Sequence, residues 1–387
     1  MKRLYCFLLL LPFAAAVVAQ PVTQTVVSPR DARAMALGGS FQALSTGFDA
    51  FYGNPSAFGA AKSEFTVLDA STWVYLKPTV ANVGDLSKLV TGEADQAAMV
   101  DTLNRFVTEN GFGGGFSAGL GYIGKGLGIG AYVVEDVVVS GPNALGAKIS
   151  QAAQANAVIG LAIPIKLGGL TLSFGGDIRP FFRVDSPSGG WAFAPLLSAF
   201  MSGGDPMAPV MGEDAYSSFG LAMDFGVSLE LGTLSLGLSA RDIAPPYKLV
   251  QSTVGTLFSS LSSGNIQSAA GTGLEAALLP AIAVGLSWKP ALIPYFLEPA
   301  LYFEIQDPVA IIKDKESIWK LFHAGLDLEV FSFMNLRAGV NKGWLSAGFG
   351  IDLFVLELDA AVFTEEIGRV PGDYGRSGIV LQAAIRF

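Results

Sequence analysis

The plainest regularity in this chain is an alternation of apolar and polar residues with a period of two. In the last segment Ile379, Leu381, Ala383, Ile385 and Phe387 fall on one face, and Gly378, Val380, Gln382, Ala384 and Arg386 on the other. A period of two is the signature of a strand, because successive side chains leave the backbone on opposite sides. The split recurs where Phe322, Ala324, Leu326, Leu328 and Val330 alternate with His323, Gly325, Asp327 and Glu329. It recurs again where Phe219, Leu221, Met223, Phe225, Val227 and Leu229 alternate with Gly220, Ala222, Asp224, Gly226 and Ser228. Charge falls almost entirely on one face. Followed along the chain, the pattern predicts fourteen strands, near 64–77, 113–123, 126–140, 155–166, 170–184, 217–231, 233–242, 278–290, 296–306, 320–330, 333–342, 344–353, 355–366 and 377–387.

The connections have a rhythm of their own. Every second one is minimal: Gly124-Lys125, 167–169, Gly232, 291–295, Phe331-Ser332 and Phe354. Those between are mostly long, at 78–112, 141–154, 185–216, 243–277, 307–319 and 367–376, with Gly343 the short exception. Membrane barrels of bacterial outer envelopes pair short periplasmic turns with longer external loops. The rhythm therefore predicts that both termini are periplasmic.

Composition decides which all-β class this is. Hydrophobic residues make up 51% and charged residues only 15% of the chain, against roughly 25% charged in soluble domains. A soluble sandwich would bury its apolar face and need more charge outside. No segment after the start sustains the roughly 18 apolar residues of a spanning helix. A closed barrel, with every backbone group paired between strands, is the remaining way to place so much apolar surface in lipid. The expected fold is thus all-β: a transmembrane antiparallel barrel of about fourteen strands.

The start of the chain points to export. Lys2 and Arg3 precede an apolar stretch, 4–18, that closes in Val17-Val18-Ala19, the form of a secretory leader. Residues 1–19 are therefore expected to be a signal peptide, 20–60 a separate N-terminal segment and 61–387 the barrel. Cys6, the one cysteine, lies in the leader, which leaves no disulfide or thiolate metal site in the rest. The net charge of −9 becomes about −11 without Lys2 and Arg3, and repels nucleic acid. The terminal Phe387, closing an amphipathic strand, suits recognition by the outer-membrane assembly machinery.

Between leader and first strand the alternation stops. This stretch is apolar and glycine-rich, and needs shelter from both lipid and water, which a barrel lumen offers. Its residues Arg33-Ala34, Gly38-Gly39, Phe41, Ala43, Asp49-Ala50 and Asn54-Pro55-Ser56 resemble the N-terminal region of the long-chain fatty-acid transporter family of outer-membrane proteins, the FadL type. The resemblance is specific over residues 30–58. Ser56 and Ala57-Phe58 depart from the family's usual Ala and Gly-Leu or Gly-Met. Further on, 336–343 and 363–368 resemble an uncharacterised branch of related barrels. The resemblance implies a plug inside a fourteen-stranded barrel. It also implies a path for hydrophobic ligands past Arg33, Gly38, Gly39, Phe41, Asp49, Asn54, Pro55 and Ser56.

The long connections carry a second set of candidates. The first holds Trp191, Phe193, Leu196, Leu197, Phe200, Met201, Met207 and Met211; the next holds Val254, Leu257, Phe258 and Leu261. Exposed apolar patches mark binding surfaces, and methionine with aromatics adapts to flexible chains. These residues either bind a greasy ligand or pack on one another as lid helices. A proline that removes a ladder hydrogen bond would mark a sideways opening, and Pro164, Pro180 and Pro299 are the positions to watch.

Catalytic and metal chemistry find little support. The run 119–124 fits G-x-G-x-x-G, but a strand follows it where the chemistry needs a helix N-terminus. His323, the only histidine, shares a face with Asp327, and is read as a salt-bridge partner in the interior rather than half of a hydrolytic pair. No catalytic residue, metal site or cofactor is assigned. Three functions remain open. The first is outer-membrane uptake of hydrophobic small molecules, such as long-chain fatty acids or related lipids, past a gating plug. The second is a surface shuttle or scaffold barrel holding exported proteins. The third is a structural barrel or non-specific porin.

Overall fold

The computed structural model describes residues 22–60, 62–91, 93, 95–109, 111–264, 273–293 and 296–387. The expected leader, 1–19, lies outside them, as do residues 294 and 295 of one predicted turn. Fourteen antiparallel strands close into a barrel: β1 Glu64–Tyr75, β2 Phe112–Gly124, β3 Leu127–Ser140, β4 Lys148–Leu167, β5 Leu170–Asp185, β6 Asp214–Leu231 and β7 Leu234–Ile243. The circle continues through β8 Ala281–Trp288, β9 Leu297–Gln306, β10 Phe322–Val330, β11 Met334–Asn341, β12 Trp344–Leu353, β13 Leu356–Glu366 and β14 Gly375–Arg386. Closure comes from β14 on β1, running from Gly378↔Tyr75 to Arg386↔Thr66. The apolar face of the alternation points out, with Leu381, Leu326, Phe225 and Ile163 exposed, while Gln382, Asp327, Asp224 and Ala162 are buried. No described helix is long and apolar enough to cross a membrane, a finding that does not bear on a strand barrel.

The strand positions follow the expectation except on one flank. There β4 begins at Lys148, not 155, and β4 to β6 run 20, 16 and 18 residues against 8 to 10 in β8 to β12. The extra length rises past the other strands at the long-loop end. The long connections carry helices that a period of two cannot announce: α1 comes earlier, at Ala32–Ala36, then α2 Val80–Thr91, α3 Gln96–Thr108, α4 Phe193–Met201, α5 Ala208–Met211, α6 Val254–Ser262 and α7 Pro308–Lys313.

Two irregularities shape the wall. Between β4 and β5 the ladder runs up to Ile159↔Ile178 and resumes at Asn156↔Phe181, leaving Ala157-Val158 beside Arg179-Pro180 unpaired. Proline has no N–H to give, so of the three prolines Pro180 sits at a break, whereas Pro164 and Pro299 pair in unbroken register. Between β6 and β7 the register shifts at Met223/Phe225, and Asp242 takes a left-handed φ of 62° in the bulge.

Val22–Gln24 pairs in parallel with Leu274–Leu278, just before β8 at the long-loop end. Phe387 instead pairs with Phe65 at the short-turn end. The first and last described residues therefore stand at opposite ends of the barrel. The rhythm applies to strands that begin at the short-turn end; the segment before β1 enters from the other.

Candidate functional site

From Val22 the chain passes through the barrel's inner contacts to reach β1 at the short-turn end. Asp31 caps α1, its carboxylate accepting from Ala34 N at 2.7 Å. Gly38 and Gly39 follow with φ of 70° and 74°, a left-handed pair that glycine adopts without strain. A Cβ at Gly38 would collide with the backbone of Val340. Two short 3-10 helices complete the segment, Gly47–Tyr52 and Pro55–Gly59. Asn54 caps the second by accepting from Ser56 N at 3.0 Å, with Pro55 at the first helical position, where a missing N–H costs nothing.

The hydrogen bonds of this segment radiate to strands on all sides. Asn54 Nδ2 donates to Ala43 O at 2.7 Å and to Val227 O on β6 and Leu238 O on β7 at 3.3 Å each. Glu304 on β9 accepts from Ala43 N at 2.5 Å, and Gln306 donates to Gly39 O at 2.5 Å. His323 Nδ1 on β10 lies 2.7 Å from Gly38 O, Ser346 on β12 donates to Ala36 O at 2.9 Å, and Gln382 on β14 accepts from Ala32 N at 2.7 Å. On the far side Phe48, Phe51 and Phe58 form a chain of rings, centroids 5.2 and 5.6 Å apart. Phe51 and Phe58 press on Gly121, Gly128, Gly130 and Gly160 of β2 to β4. Those inward glycines supply the room that the rings fill.

Two cavities flank the segment. The upper one, about 420 Å³, faces the long-loop end and is lined by Arg30, Met35, Gly39, Phe41, Asp307, His323 and Asn341 among others. The lower one, about 380 Å³, opens toward Lys289 and Pro290 at the short-turn end and is lined by Arg33, Asp327, Arg337, Asp359 and Arg386. Asp31 and Asp49 line both, so this pair forms the partition. Asp49 accepts from Tyr52 Oη at 2.6 Å. Burial, and then the neighbouring Asp31, push its carboxyl well above the ordinary value.

The expected path residues divide accordingly. Gly39, Phe41 and Asp49 line the upper cavity, and Arg33 and Asp49 the lower. Asn54 and Ser56 line a third space of about 350 Å³, while Gly38 and Pro55 serve as buried contacts to Val340, Gly339 and Gly175. Arg33 lies 4.4 Å over the Phe41 ring and 3.6 Å from Asp327.

The loop candidates assemble elsewhere. Trp191, Phe193 and Leu197 are buried with Val139, Ile149 and Val210, and Leu196, Met201 and Leu257 lean on that cluster. Met211 is half-buried, and Phe200, Met207 and Phe258 are exposed. None of them lines the upper cavity, and the buried members pack on one another and on the strands beneath. His323 is also corrected: it makes no ion pair with Asp327, which pairs with Arg33 and Arg337 instead. Its partner is a backbone carbonyl of the N-terminal segment. Alternation alone places His323, Gln306 and Asn341 inward, but not against Gly38-Gly39. Among the described residues no group of acids, cysteines and histidine is arranged to hold a metal.

No family model matches the chain, and no curated protein does. Solved structures similar to it include the Pseudomonas putida toluene transporter TodX, at 12% identity over 93% of this chain and 99% of that one, with a TM-score of 0.47. The Ralstonia pickettii toluene transporter TbuX is similar at 12% identity over 93% and 98%, TM-score 0.47. A Pseudomonas aeruginosa FadL homologue is similar at 11% identity over 94% and 99%, TM-score 0.41.

Proposed function

We propose that this chain is an outer-membrane barrel that takes up hydrophobic small molecules, with long-chain fatty acids and related lipids as its ligand class. Residues 1–19 act as its leader, 20–60 as a gating plug and 61–387 as the barrel. The observation that carries this reading is the pair of cavities, about 420 and 380 Å³, separated by the segment and sharing Asp31 and Asp49. A shift of that partition joins them into one passage. The apolar outer wall suits lipid, the long loops face outward, and Phe387 is read by the assembly machinery.

The test is binding of a pyrene-labelled acyl chain to the refolded barrel in detergent, beside a variant lacking residues 20–58. Saturable binding that weakens in the variant is the expected result. If neither form binds above empty detergent, the transport reading falls and exported protein partners become the next candidates.

A further inference from the structure

The short turns of the barrel are of two kinds, and the difference follows its flanks. Three of them are two-residue turns closed by leucines, at Leu167↔Leu170, Leu231↔Leu234 and Leu353↔Leu356. Their first residues share one left-handed backbone state, with φ of 65° at Gly168, 59° at Gly232 and 57° at Phe354. Glycine adopts that state freely, whereas a bulky side chain is strained in it. Phe331, which opens the turn between β10 and β11, repeats the exchange with a φ of 54°. The β4–β7 flank thus turns on glycine and the β10–β13 flank on phenylalanine.

The protein itself does not offset that strain. Phe354 is fully exposed, and the ring contacts of Phe331 are Phe296 and Phe333, both exposed as well, with centroids 4.7 and 6.4 Å away. None of the four lines the three inner spaces. Water penalises such rings, so the gain must come from an apolar medium outside the chain. The patch continues the outer wall through Leu353, Val355 and Leu336, all exposed.

Strand length says why this flank needs it. β8, β10 and β11 have 8, 9 and 8 residues, at or below the roughly 9–11 that a spanning strand takes. On the other flank β4, β5 and β6 have 20, 16 and 18, and their turns need contribute nothing.

We propose that the turns at Phe331–Phe333 and Phe354 are sunk among the acyl chains of the leaflet at the short-turn end, while those at Gly168 and Gly232 stand in water. The rings complete the apolar band where the strands are too short to do so. Tyrosine and tryptophan hold a polar tip among head groups; phenylalanine has none, and its place is deeper. The inference rests on the reading that the outer wall lies in lipid.

Val355 and Thr233 are the second residues of matching turns, and serve as probe sites. The chain from residue 20 onward has no cysteine, so Val355→Cys and Thr233→Cys each take a single environment-sensitive fluorophore. Leu326→Cys on the outer wall is the reference. The labelled barrels are placed in phosphatidylcholine nanodiscs, whose two faces are both open to solvent, and quenched by iodide or by lipid brominated in its acyl chains. The probe at 355 is expected to emit to the blue, to resist iodide and to be quenched by the brominated chains. At 233 the order of the two quenchers is expected to reverse. Phe354→Gly added to Val355→Cys should relieve the strained φ and shift the probe toward the behaviour of 233. Equal iodide access at 355 and 233 overturns the inference. So does equal quenching of both by brominated chains, because the flanks would not differ. Protection from iodide without quenching by lipid shows a second copy of the chain or another protein on the rings, and overturns it too. If the wall probe at 326 also escapes brominated lipid, the barrel reading beneath the inference falls.

Discussion

The two sides of the barrel interior use the same charges in opposite ways. On the β5–β7 side Arg179 is fully buried, held by Asp224 at 3.1 Å, by Asp242 and by Asn156 Oδ1 at 3.0 Å. Asn156 stands at the ladder break beside Pro180, so a side-chain bond spans the place where backbone pairing is lost. On the β10–β14 side Arg337 reaches Asp327 at 3.3 Å and also Asp359, and Arg386 reaches Asp69 at 2.5 Å and Glu357 at 2.6 Å. All of these groups but Asp69 line the lower cavity. The first cluster seals a seam in the wall, and the second borders open space. An inward charge is therefore no sign of a passage; what matters is whether its partners close around it.

The contrast can be broken most forcefully at Arg179. Arg179→Leu leaves Asp224 and Asp242 buried without their cation, and should cost about 3–5 kcal/mol, read from urea unfolding in detergent. A loss below about 1 kcal/mol would show that the seam is not sealed by this residue. Next comes Gly38→Ala, which forces a left-handed φ on a residue with a Cβ and drives it into the backbone of Val340. A cost of about 1–3 kcal/mol should fall on the segment, seen as faster proteolysis within residues 25–60 while the barrel's own unfolding stays put.

A smaller effect belongs to Arg386→Leu on the hollow side. Its side chain is 17% exposed, water in the cavity can serve Glu357 and Gln382 still donates to Asp69, so about 1–2 kcal/mol is expected. A cost equal to that of Arg179→Leu would erase the distinction between the two sides. The smallest effect is on pH dependence. The Asp49 carboxyl is held above its ordinary value by burial and by Asp31, so the folded state binds its proton more tightly than the unfolded one does. Its contribution to stability therefore declines as pH rises from about 4, the unfolded value, through the raised folded one. Asp49→Asn should flatten that part of the profile, and an unchanged slope would show that Asp49 does not titrate this way.

Much of the wall was legible without coordinates, for a local reason. Each strand residue must face either lipid or interior, so neighbouring positions differ in polarity and the period of two is written into every short window. Strand number, the inward placement of Asp224, Asp327 and Arg337, and the room left by inward glycines all follow from it. The same logic failed for the long β4, whose first residues rise beyond the other strands where neither face meets a uniform medium.

What the interior does was decided by tertiary structure. His323 meets Gly38 across 285 positions, Gln382 meets Ala32 across 350, and Asn54 ties Val227 to Leu238. The side on which the N-terminal segment enters depends on Val22 pairing with Ala276. Whether Trp191 meets a ligand or a neighbouring helix depends on the strands beneath it. The sequence by itself determined a closed barrel with one apolar face, because that constraint acts between adjacent residues. The sealed seam, the partition at Asp31 and Asp49, and the hold of His323 on Gly38 arise only from contacts between distant parts of the chain, which leave no periodic mark on it.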